Sequence, residues 1–379
     1  MAHLFEPVTQ RGVTFRNRTV VAPMCQYSSR DGLANDWHLV HLGRFALGGF
    51  GMVMVEATGV TPEGRISWAD VGLWNDAQAE ALRPVTRFLK SQNTVSAIQL
   101  AHAGRKASTP VDWRRDLPTA SESEQRAAGF QHWKPVAPSA VAHAADNPDF
   151  QEPHALTREE IAGLVTSFAD AARRADAAGF DMVEVHAAHG YLINQFLSPF
   201  GNRRDDEYGG SRANRMRFAL EVTEAVRAAL PQDKPVWVRI SASDNAAGGW
   251  DVEDSVALAR ELKALGVDTI DCSSGGFAEG RIAPSPGYQV PFAQAIKAGA
   301  GIPTAAVGLL HDPHRAEAII AEGEADFIAL ARGALDDPNW PVHARHQIEG
   351  EADDFTLWPV QAAARMRDRA RVLARVGRE

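Results

Sequence analysis

The stretch Asp181-Met-Val-Glu-Val-His186-Ala-Ala-His189-Gly-Tyr191 decides the fold, because it begins as a buried strand and ends in a cluster of polar rings. Its apolar run follows the helix-stopping Gly179, an order typical of a parallel strand buried on both faces. The carboxyl ends of such strands face the ligand, so His186, His189 and Tyr191 predict a functional site. A lone histidine there is more often structural, but two histidines and a tyrosine favour function.

Apolar runs rich in β-branched residues recur along the chain, and each predicts a strand. They cover residues 18–22, 52–56, 95–99, 182–186, 236–239, 269–272, 304–307 and 327–330. Helical patterns lie between them. One helix follows a capping box that starts at Thr157, a second opens at Asp254, and a third opens at Asp312. Eight strands alternating with helices predict a (β/α)8 TIM barrel. The alternative, an open doubly wound sheet, normally carries a Gly-x-Gly-x-x-Gly turn, and no strand end here has one.

Length alone does not decide the domain count, because 379 residues suit two ordinary domains or one barrel with insertions. Residues 105–153 are rich in Pro, Ser, Asp and Trp and lack periodicity, so we expect a lid-like excursion over the barrel mouth after the third strand. Residues 340–379 form an arginine-rich C-terminal tail that we expect to pack on a partner subunit. We therefore predict a single barrel domain over residues 1–379.

The composition is that of an ordinary globular protein, with 45% hydrophobic and 23% charged residues. A net charge of −9 argues against broad binding to nucleic acid or anionic membranes, since both need a basic surface. The first residues lack the pattern of a secretion signal and no apolar run approaches a membrane span, so we expect a cytoplasmic protein. Only Cys25 and Cys272 occur, too few for an iron-sulfur cluster or a four-cysteine zinc site.

The side chains that follow the predicted strands should together make chemical sense at one end of the barrel. Arg239 on the fifth strand needs an anionic or electron-rich partner, because an unpaired buried charge is costly. Gln99 after the third strand has donors and an acceptor, which suit the edge of a heterocyclic ring. Gly308 and Arg332 follow the seventh and eighth strands, where barrels commonly bind phosphate. The strand ends therefore predict a phosphorylated ligand.

Six stretches resemble the Old Yellow Enzyme family of flavin-dependent ene-reductases, and the resemblance spans nearly the whole chain. They are residues 22–25, 99–106, 186–191, 202–212, 273–276 and 329–333. Within the family, the chain resembles the bacterial branch that places a cysteine beside the flavin, which includes the xenobiotic reductases.

This resemblance implies non-covalent FMN at the barrel mouth and NAD(P)H as the hydride donor. The residues around the isoalloxazine ring would be Ala22, Pro23, Met24, Cys25, Ala57 and Gln99. Arg239 would face the N1/O2 edge of the ring, where it stabilises negative charge. The phosphate would be held by Gly308, Ala331 and Arg332.

The same resemblance implies reduction of the activated C=C bond of α,β-unsaturated carbonyl or nitro compounds. His186 and His189 would hydrogen-bond the substrate oxygen while hydride passes from flavin N5 to the β-carbon. Tyr27 would add a second hydrogen bond to that oxygen. Tyr191 would protonate the α-carbon, a role that suits a phenol because it keeps its proton at neutral pH. Cys25 would tune the flavin rather than act as a nucleophile.

Other residues keep a structural interpretation. Cys272 is expected to be an inert buried thiol, and Cys25 and Tyr27 have a packing role as their alternative. His102, Arg105 and Lys106 match the family, and we interpret them as supports of the loop that contains them. The arginine-rich run 365–371 is interpreted as a solvated helix face.

The C-terminal tail departs from the family pattern. Relatives often end in Pro-x-Gln-Tyr-x-Arg, whose arginine enters a neighbouring subunit's pocket, whereas here Pro359-Val-Gln361 is followed by alanines. Trp358 and Arg365 are the alternatives for that role. We expect a homo-oligomer, a dimer or a tetramer.

Three other functions stay open. A metal-dependent hydrolase would use His186 and His189 as ligands, but the other strand ends offer Gln99, Arg239 and Arg332 in place of further histidines or carboxylates. A flavin- and cluster-dependent dienoyl reductase shares the barrel but needs four cysteines and a second nucleotide domain. A non-enzymatic flavin or phosphate carrier would have no use for the proton donor Tyr191.

Overall fold

Parallel strands close into a barrel in this computed structural model, which describes residues 2–144, 146–147, 149–350 and 355–377. The barrel strands are β1 Thr19–Val21, β2 Met52–Gly59, β3 Val95–Ala101, β4 Met182–Ala187, β5 Val236–Ser241, β6 Thr269–Ser273, β7 Thr304–Val307 and β8 Phe327–Leu330. They neighbour one another in chain order, and β8 pairs with β1 to close the barrel. The predicted (β/α)8 TIM barrel and its eight strands are confirmed.

Helices follow the strands, and most of them cover the outside of the barrel. They are α1 Asp36–Leu47, α2 Asp76–Ser91, α3 Glu122–Ala128, α4 Arg158–Ala177, α5 Leu192–Leu197, α6 Arg212–Ala229, α7 Val252–Ala264, α8 Val290–Ala300, α9 Pro313–Ala321, α10 Arg332–Asp336, α11 Trp340–Glu349 and α12 Val360–Val376. Apolar faces of these helices join the outer faces of the strands in one large buried core. None of the described helices has the length and apolar character needed to cross a membrane.

Two of the three predicted helix starts are correct. Thr157 and Glu160 form the expected capping box before α4, and the side chain of Asp312 accepts hydrogen bonds at the start of α9. The prediction that Asp254 opens α7 is wrong, because the N-cap is Asp251, whose carboxylate accepts from the Asp254 N–H at 3.0 Å. Both residues are aspartates near one helix start, and only the extended backbone of Asp251 marks it as the cap.

The amino-terminal end of the barrel is closed by a hairpin formed by Val8–Gln10 and Val13–Phe15. Phe15 enters the barrel and packs against Trp237 and Phe327, with ring centroids 6.1 and 5.1 Å away. The indole N–H of Trp237 donates to the Gln10 side chain at 2.8 Å, so even this buried ring has its polar atom paired. One end of the barrel is therefore sealed, and the carboxyl ends of the strands form the open mouth.

The excursion expected over residues 105–153 has more structure than its composition suggested. It contains α3, and Val136–Ala137 pairs with His154–Ala155 just beyond its end. Its Val111 and Leu117 pack against Trp68, which lies after β2. The excursion therefore packs on the mouth side of the barrel, and its role as a lid stays a prediction.

The C-terminal tail consists of two dissimilar helices. Trp340 and Val342 of α11 are buried against the barrel, whereas α12 has no buried residue among those described. Trp358, between the helices, packs near the ring of His343 of its own chain. Arg365 is exposed and lies 3.7 Å from Asp368. The predicted contact of this tail with a partner subunit stays a prediction.

Because Phe15 seals the barrel from inside, Phe15→Ala should lower the free energy of unfolding by about 3–5 kcal/mol. Thr9→Ala on the same hairpin removes only an exposed hydrogen bond to Thr14, and its effect should stay within about 0.5 kcal/mol. Chemical denaturation of both variants measures the difference. Equal stability of the two variants would contradict the sealing role of Phe15.

Candidate active site

The loop between β4 and α5 has an unusual backbone conformation, which orients the side chains of the predicted site. His189 and Gly190 both have left-handed backbones, with φ of 60° and 70°. A Cβ at Gly190 would collide with the carbonyl oxygen of Gly276, so only glycine fits this position. The Gly190 N–H donates to the Asn194 side chain at 2.7 Å, and the Gly190 carbonyl accepts from Gln195 at 2.7 Å. The loop is therefore fixed by hydrogen bonds on both sides of the glycine.

The rings of His186 and His189 lie at the barrel mouth with their centroids 5.1 Å apart. The ring of Tyr191 lies 5.0 Å from that of His186, so the three predicted residues form one cluster. Burial, followed by the positive charge of Arg239, lowers the pKa of both histidines well below the ordinary value. Both imidazoles are therefore neutral at pH 7, and each carries a single N–H.

Neighbouring groups decide which ring nitrogen carries that proton. Nδ1 of His186 accepts from the Ala188 N–H at 3.3 Å, which leaves the proton on Nε2. Nε2 of His189 lies 2.7 Å from the Ser273 hydroxyl, whereas that hydroxyl lies 3.3 Å from the Gln289 side chain. The single proton of the Ser273 hydroxyl can be accepted by His189 Nε2 or by the Gln289 amide oxygen. We predict donation over the shorter contact to His189, with the His189 proton on Nδ1. The two rings then each have one N–H that is free of these contacts.

Tyr191 and Tyr27 are phenols that stay protonated. Burial, followed by the nearby Cys25, raises the pKa of each phenol above its ordinary range. Tyr27 has a left-handed backbone with φ of 46°, and its hydroxyl is hydrogen-bonded to the Cys25 thiol. Tyr191 precedes the first residue of α5, and the Lys106 ammonium lies 5.3 Å from the centre of its ring. Both residues can donate a proton in a hydrogen bond but are poor bases.

Cys25 is a protonated thiol at neutral pH. Burial, followed by the negative charges of Asp70 and Glu56, raises its pKa well above the ordinary value. Nucleophilic cysteines need the opposite environment, one that favours the thiolate. Cys25 packs with Ala57 and with both phenols in one small apolar cluster. Cys272, on β6, is buried as expected for an inert thiol.

A cavity of about 820 Å³ opens beside this cluster. Gly308, Ala331 and Arg332 line it at the ends of β7 and β8, and Arg239 lines it from β5. Gly308 has φ of 128°, a conformation that other residues rarely adopt. Four of the predicted ligand-binding residues therefore share one cavity, whose size is typical of a site for a small ligand.

The remaining predicted ligand residues lie on the strands and loop next to that cavity. Ala22 follows β1 and donates its N–H to the Leu330 carbonyl at 2.9 Å. Pro23 and Met24 continue from it toward Cys25, and Met24 packs partly on the main core. Ala57 on β2 and Gln99 on β3 are adjacent in the strand register. The structure thus brings every predicted site residue to the mouth end of the barrel.

Lys106 has a larger part than its interpretation as a loop support suggested. Its ammonium donates to the His189 carbonyl at 2.9 Å and to the Gly276 carbonyl at 3.2 Å. Burial lowers its pKa to about 8. Arg105 is a support as expected, since its guanidinium donates to the carbonyls of Val141 and Ala142 at 3.2 and 3.3 Å.

Two acidic residues of this region were missed in the sequence. Glu184 lies on β4 and Asp271 on β6, two residues before His186 and Ser273 respectively. Because side chains alternate along a strand, each acid points to the same side as the site residue that follows it. Asp271 lies 3.2 Å from Arg239, which supplies the partner that Arg239 was predicted to need. Each acid lies within an otherwise apolar strand, and this was the sequence signal that could have identified it.

Metal coordination finds little support in this arrangement. Among the residues that the structure describes, no three or more histidine, cysteine or carboxylate side chains are grouped to hold a metal ion. Nδ1 of His186 instead contacts the Ala188 N–H, and Nε2 of His189 contacts the Ser273 hydroxyl.

The chain matches one protein-family model, the NADH:flavin oxidoreductase / NADH oxidase family, over residues 3–351. It is 44% identical to an NADPH dehydrogenase of Geobacillus thermodenitrificans over 347 residues, 91% of this chain and 94% of that protein. It is 45% identical to an NADPH dehydrogenase of Bacillus licheniformis over 361 residues, 94% of this chain and 98% of that protein.

Two solved structures are similar over most of their length. Morphinone reductase has a TM-score of 0.74 and 28% identity, with 94% of this chain and 93% of that chain covered. The Old Yellow Enzyme homologue from Zymomonas mobilis has a TM-score of 0.71 and 27% identity, with 94% and 96% covered. The resemblance to the Old Yellow Enzyme family found in the sequence is confirmed.

The proton position on His189 can be measured directly. Nitrogen-15 NMR of the ring should show the proton on Nδ1 in the wild type, and Ser273→Ala should lose this preference because the donor to Nε2 is gone. Ser274→Ala is the matched control, since its hydroxyl donates to Gln289 at 2.8 Å and not to the imidazole. A wild-type His189 ring with its proton on Nε2 would contradict the assignment.

Proposed function

The chain belongs to the NADH:flavin oxidoreductase / NADH oxidase family, and from this we propose that it is an ene-reductase. It is an FMN-dependent NAD(P)H oxidoreductase, as its family and its NADPH dehydrogenase relatives establish. The proposed substrates are α,β-unsaturated carbonyl and nitro compounds, whose activated C=C bond is reduced. The observation that carries this proposal is the cluster of two neutral imidazoles and one protonated phenol beside Arg239.

The residues of the cavity fit FMN. Arg332 with the backbone of Gly308 and Ala331 offers a cation and amides of the kind that bind phosphate. The Arg239 guanidinium lines the same cavity, and its Nε makes no well-aligned hydrogen bond. We assign Arg239 and Gln99 to the polar edge of the isoalloxazine ring. The ring would lie against Ala22, Pro23, Met24, Cys25 and Ala57, which offer one thiol and otherwise apolar side chains.

When bound, FMN supplies a carrier that accepts hydride from NAD(P)H and delivers it to the β-carbon of the substrate. The protein's own task is to hold the substrate oxygen and to supply a proton. We propose that Nε2–H of His186 and Nδ1–H of His189 both donate to that oxygen. Because the imidazoles are neutral, they stabilise developing negative charge on the oxygen without surrendering a proton to it.

Tyr191 is proposed to donate the proton to the α-carbon. Its raised pKa keeps the phenol protonated at neutral pH, and its ring lies beside His186. Tyr27 is proposed to add a hydrogen bond to the substrate oxygen, and its present contact with Cys25 keeps its hydroxyl near the cluster. Cys25 is proposed to tune the flavin, since a protonated thiol has little nucleophilic character. A non-enzymatic carrier would have no use for this proton donor.

We also propose that the chain forms a homo-oligomer through α12. Val360, Val372, Leu373 and Val376 of this helix are 81%, 56%, 47% and 63% exposed. Several exposed apolar side chains on one helix are typical of an interaction surface. Light scattering tests this: replacing Val372 and Leu373 by Glu should yield monomers, and an unchanged mass would contradict the proposal. The cytoplasmic location stays a prediction.

Tyr191→Phe tests the proposed reaction, because it keeps the ring and removes its acid. Stopped-flow absorbance should show NADPH bleaching the flavin at the wild-type rate. Reoxidation of the reduced flavin by cyclohexenone should slow by roughly 100-fold to 10,000-fold, the usual contribution of one positioned acid.

Tyr208→Phe is the matched control, since the Tyr208 hydroxyl donates to Glu221 outside the cluster, and both rates should stay at wild-type values. If the flavin of Tyr191→Phe is reoxidised by cyclohexenone as fast as that of the wild type, Tyr191 is not the proton donor. If the wild type is bleached by NADPH but never reoxidised by enones or nitroalkenes, the ene-reductase proposal itself is wrong.

A further inference from the structure

A buried row of polar side chains crosses the barrel between the two residues assigned to the flavin edge. Gln99 Nε2 donates to Glu184 Oε1 at 2.8 Å. The carboxyl groups of Glu184 and Asp271 lie within reach of each other, and Oε2 of Glu184 and Oδ1 of Asp271 are buried without another hydrogen-bond partner. Arg239 Nε lies 3.2 Å from Asp271 Oδ2. All four residues are at least 94% buried. Bulk water therefore does not screen the charges of this row.

The strand register places this row. Gln99 on β3 is the direct neighbour of Glu184 on β4, and Arg239 on β5 is the direct neighbour of Asp271 on β6. Because His186 is also paired with Arg239 in the register, the row lies directly against the histidine cluster. The two acids connect the two ends of the row, Gln99 and Arg239.

A hydrogen bond between two carboxyl groups requires a proton, because an ionised carboxylate has only acceptors. Burial and then the charge of Asp271 raise the pKa of Glu184 well above its ordinary value. Burial raises the pKa of Asp271 as well, but the charge of Arg239 and donation from Glu184 oppose that rise. The neighbours of the pair thus favour a neutral Glu184 and an ionised Asp271.

We propose that Glu184 and Asp271 share one proton, held on Glu184, and that this pair positions Gln99 and sets the charge that Arg239 presents to the flavin. The pair and Arg239 are then neutral together. One N–H of Gln99 Nε2 donates to Glu184, which orients the amide and leaves its oxygen available to accept from a ring N–H. Both acids are positioning residues, since they act on the cofactor through their neighbours.

The chemical consequence concerns the reduction potential of bound FMN. A doubly ionised pair would leave a net negative charge beside Arg239 and oppose the gain of electrons by the ring. A single shared proton removes that charge. The proposal rests on the assigned flavin site only for this consequence, because the proton itself can be detected without any cofactor.

Infrared difference spectroscopy of the apoprotein at neutral pH detects the proton. The wild type should show the carbonyl stretch of a protonated carboxyl group that Glu184→Gln removes. Glu221→Gln, an acid on α6 outside the barrel interior, should leave this band in place. Retention of every protonated-carboxyl band in Glu184→Gln would overturn the proposal, whether or not the protein later proves to bind flavin.

The potential of bound FMN provides the second measurement. Glu184→Gln keeps the charge of the pair. The oxidised-to-reduced ratio of bound FMN at a fixed potential should therefore change less than tenfold, which corresponds to about 30 mV for two electrons. Adding Asp271→Asn to that variant removes the negative charge beside Arg239. The reduction potential should then rise by at least about 30 mV, a tenfold or larger change in the oxidised-to-reduced ratio. A tenfold or larger shift in Glu184→Gln alone would overturn the proposal.

The two measurements separate the proposal from the assigned function. A wild type that binds no FMN contradicts the proposed function and leaves the infrared result to decide on the proton. If the double variant does not fold, Glu184→Gln still tests both the proton and the charge.

Discussion

The burial of the Arg239 guanidinium constrains the whole mouth of the barrel. It is only 6% exposed, and a buried cation without a partner is strongly unfavourable. Asp271 supplies the negative charge at 3.2 Å, while burial, followed by the charge of Arg239, lowers the pKa of His186 and His189 and keeps them neutral. One buried charge thus adds to the effect of burial on the protonation of its neighbours. The neutral imidazoles become hydrogen-bond donors suited to an oxygen that gains negative charge.

Much of the fold was predictable because barrel formation depends on patterns that are local in sequence. Each strand is a short apolar run, and each connecting helix has its own start and stop signals. The chemistry at the strand ends was predictable for the same reason: His186 and Arg239 end neighbouring strands, and parallel strands bring their carboxyl ends together. The resemblance to a known family then gave these residues their roles.

The parts that were missed depend on contacts between distant segments. Ser273 bonds His189 across the barrel mouth, and the Glu184 and Asp271 carboxyls meet from β4 and β6 with β5 between them. No sequence spacing shows which side chains meet in this way. The start of α7 was missed for a local reason, because Asp251 and Asp254 are chemically identical and only the backbone distinguishes them.

The account depends most directly on the cofactor that the cavity binds. Protein purified without added flavin can be heated to release its ligand, which chromatography then identifies and quantifies against the chain. We predict FMN at close to one molecule per chain, with a loss of affinity when Arg332 is replaced by Ala, because the phosphate would lose its cation. Release of FAD, or a protein that carries no flavin and fails to bind added FMN, would contradict the account.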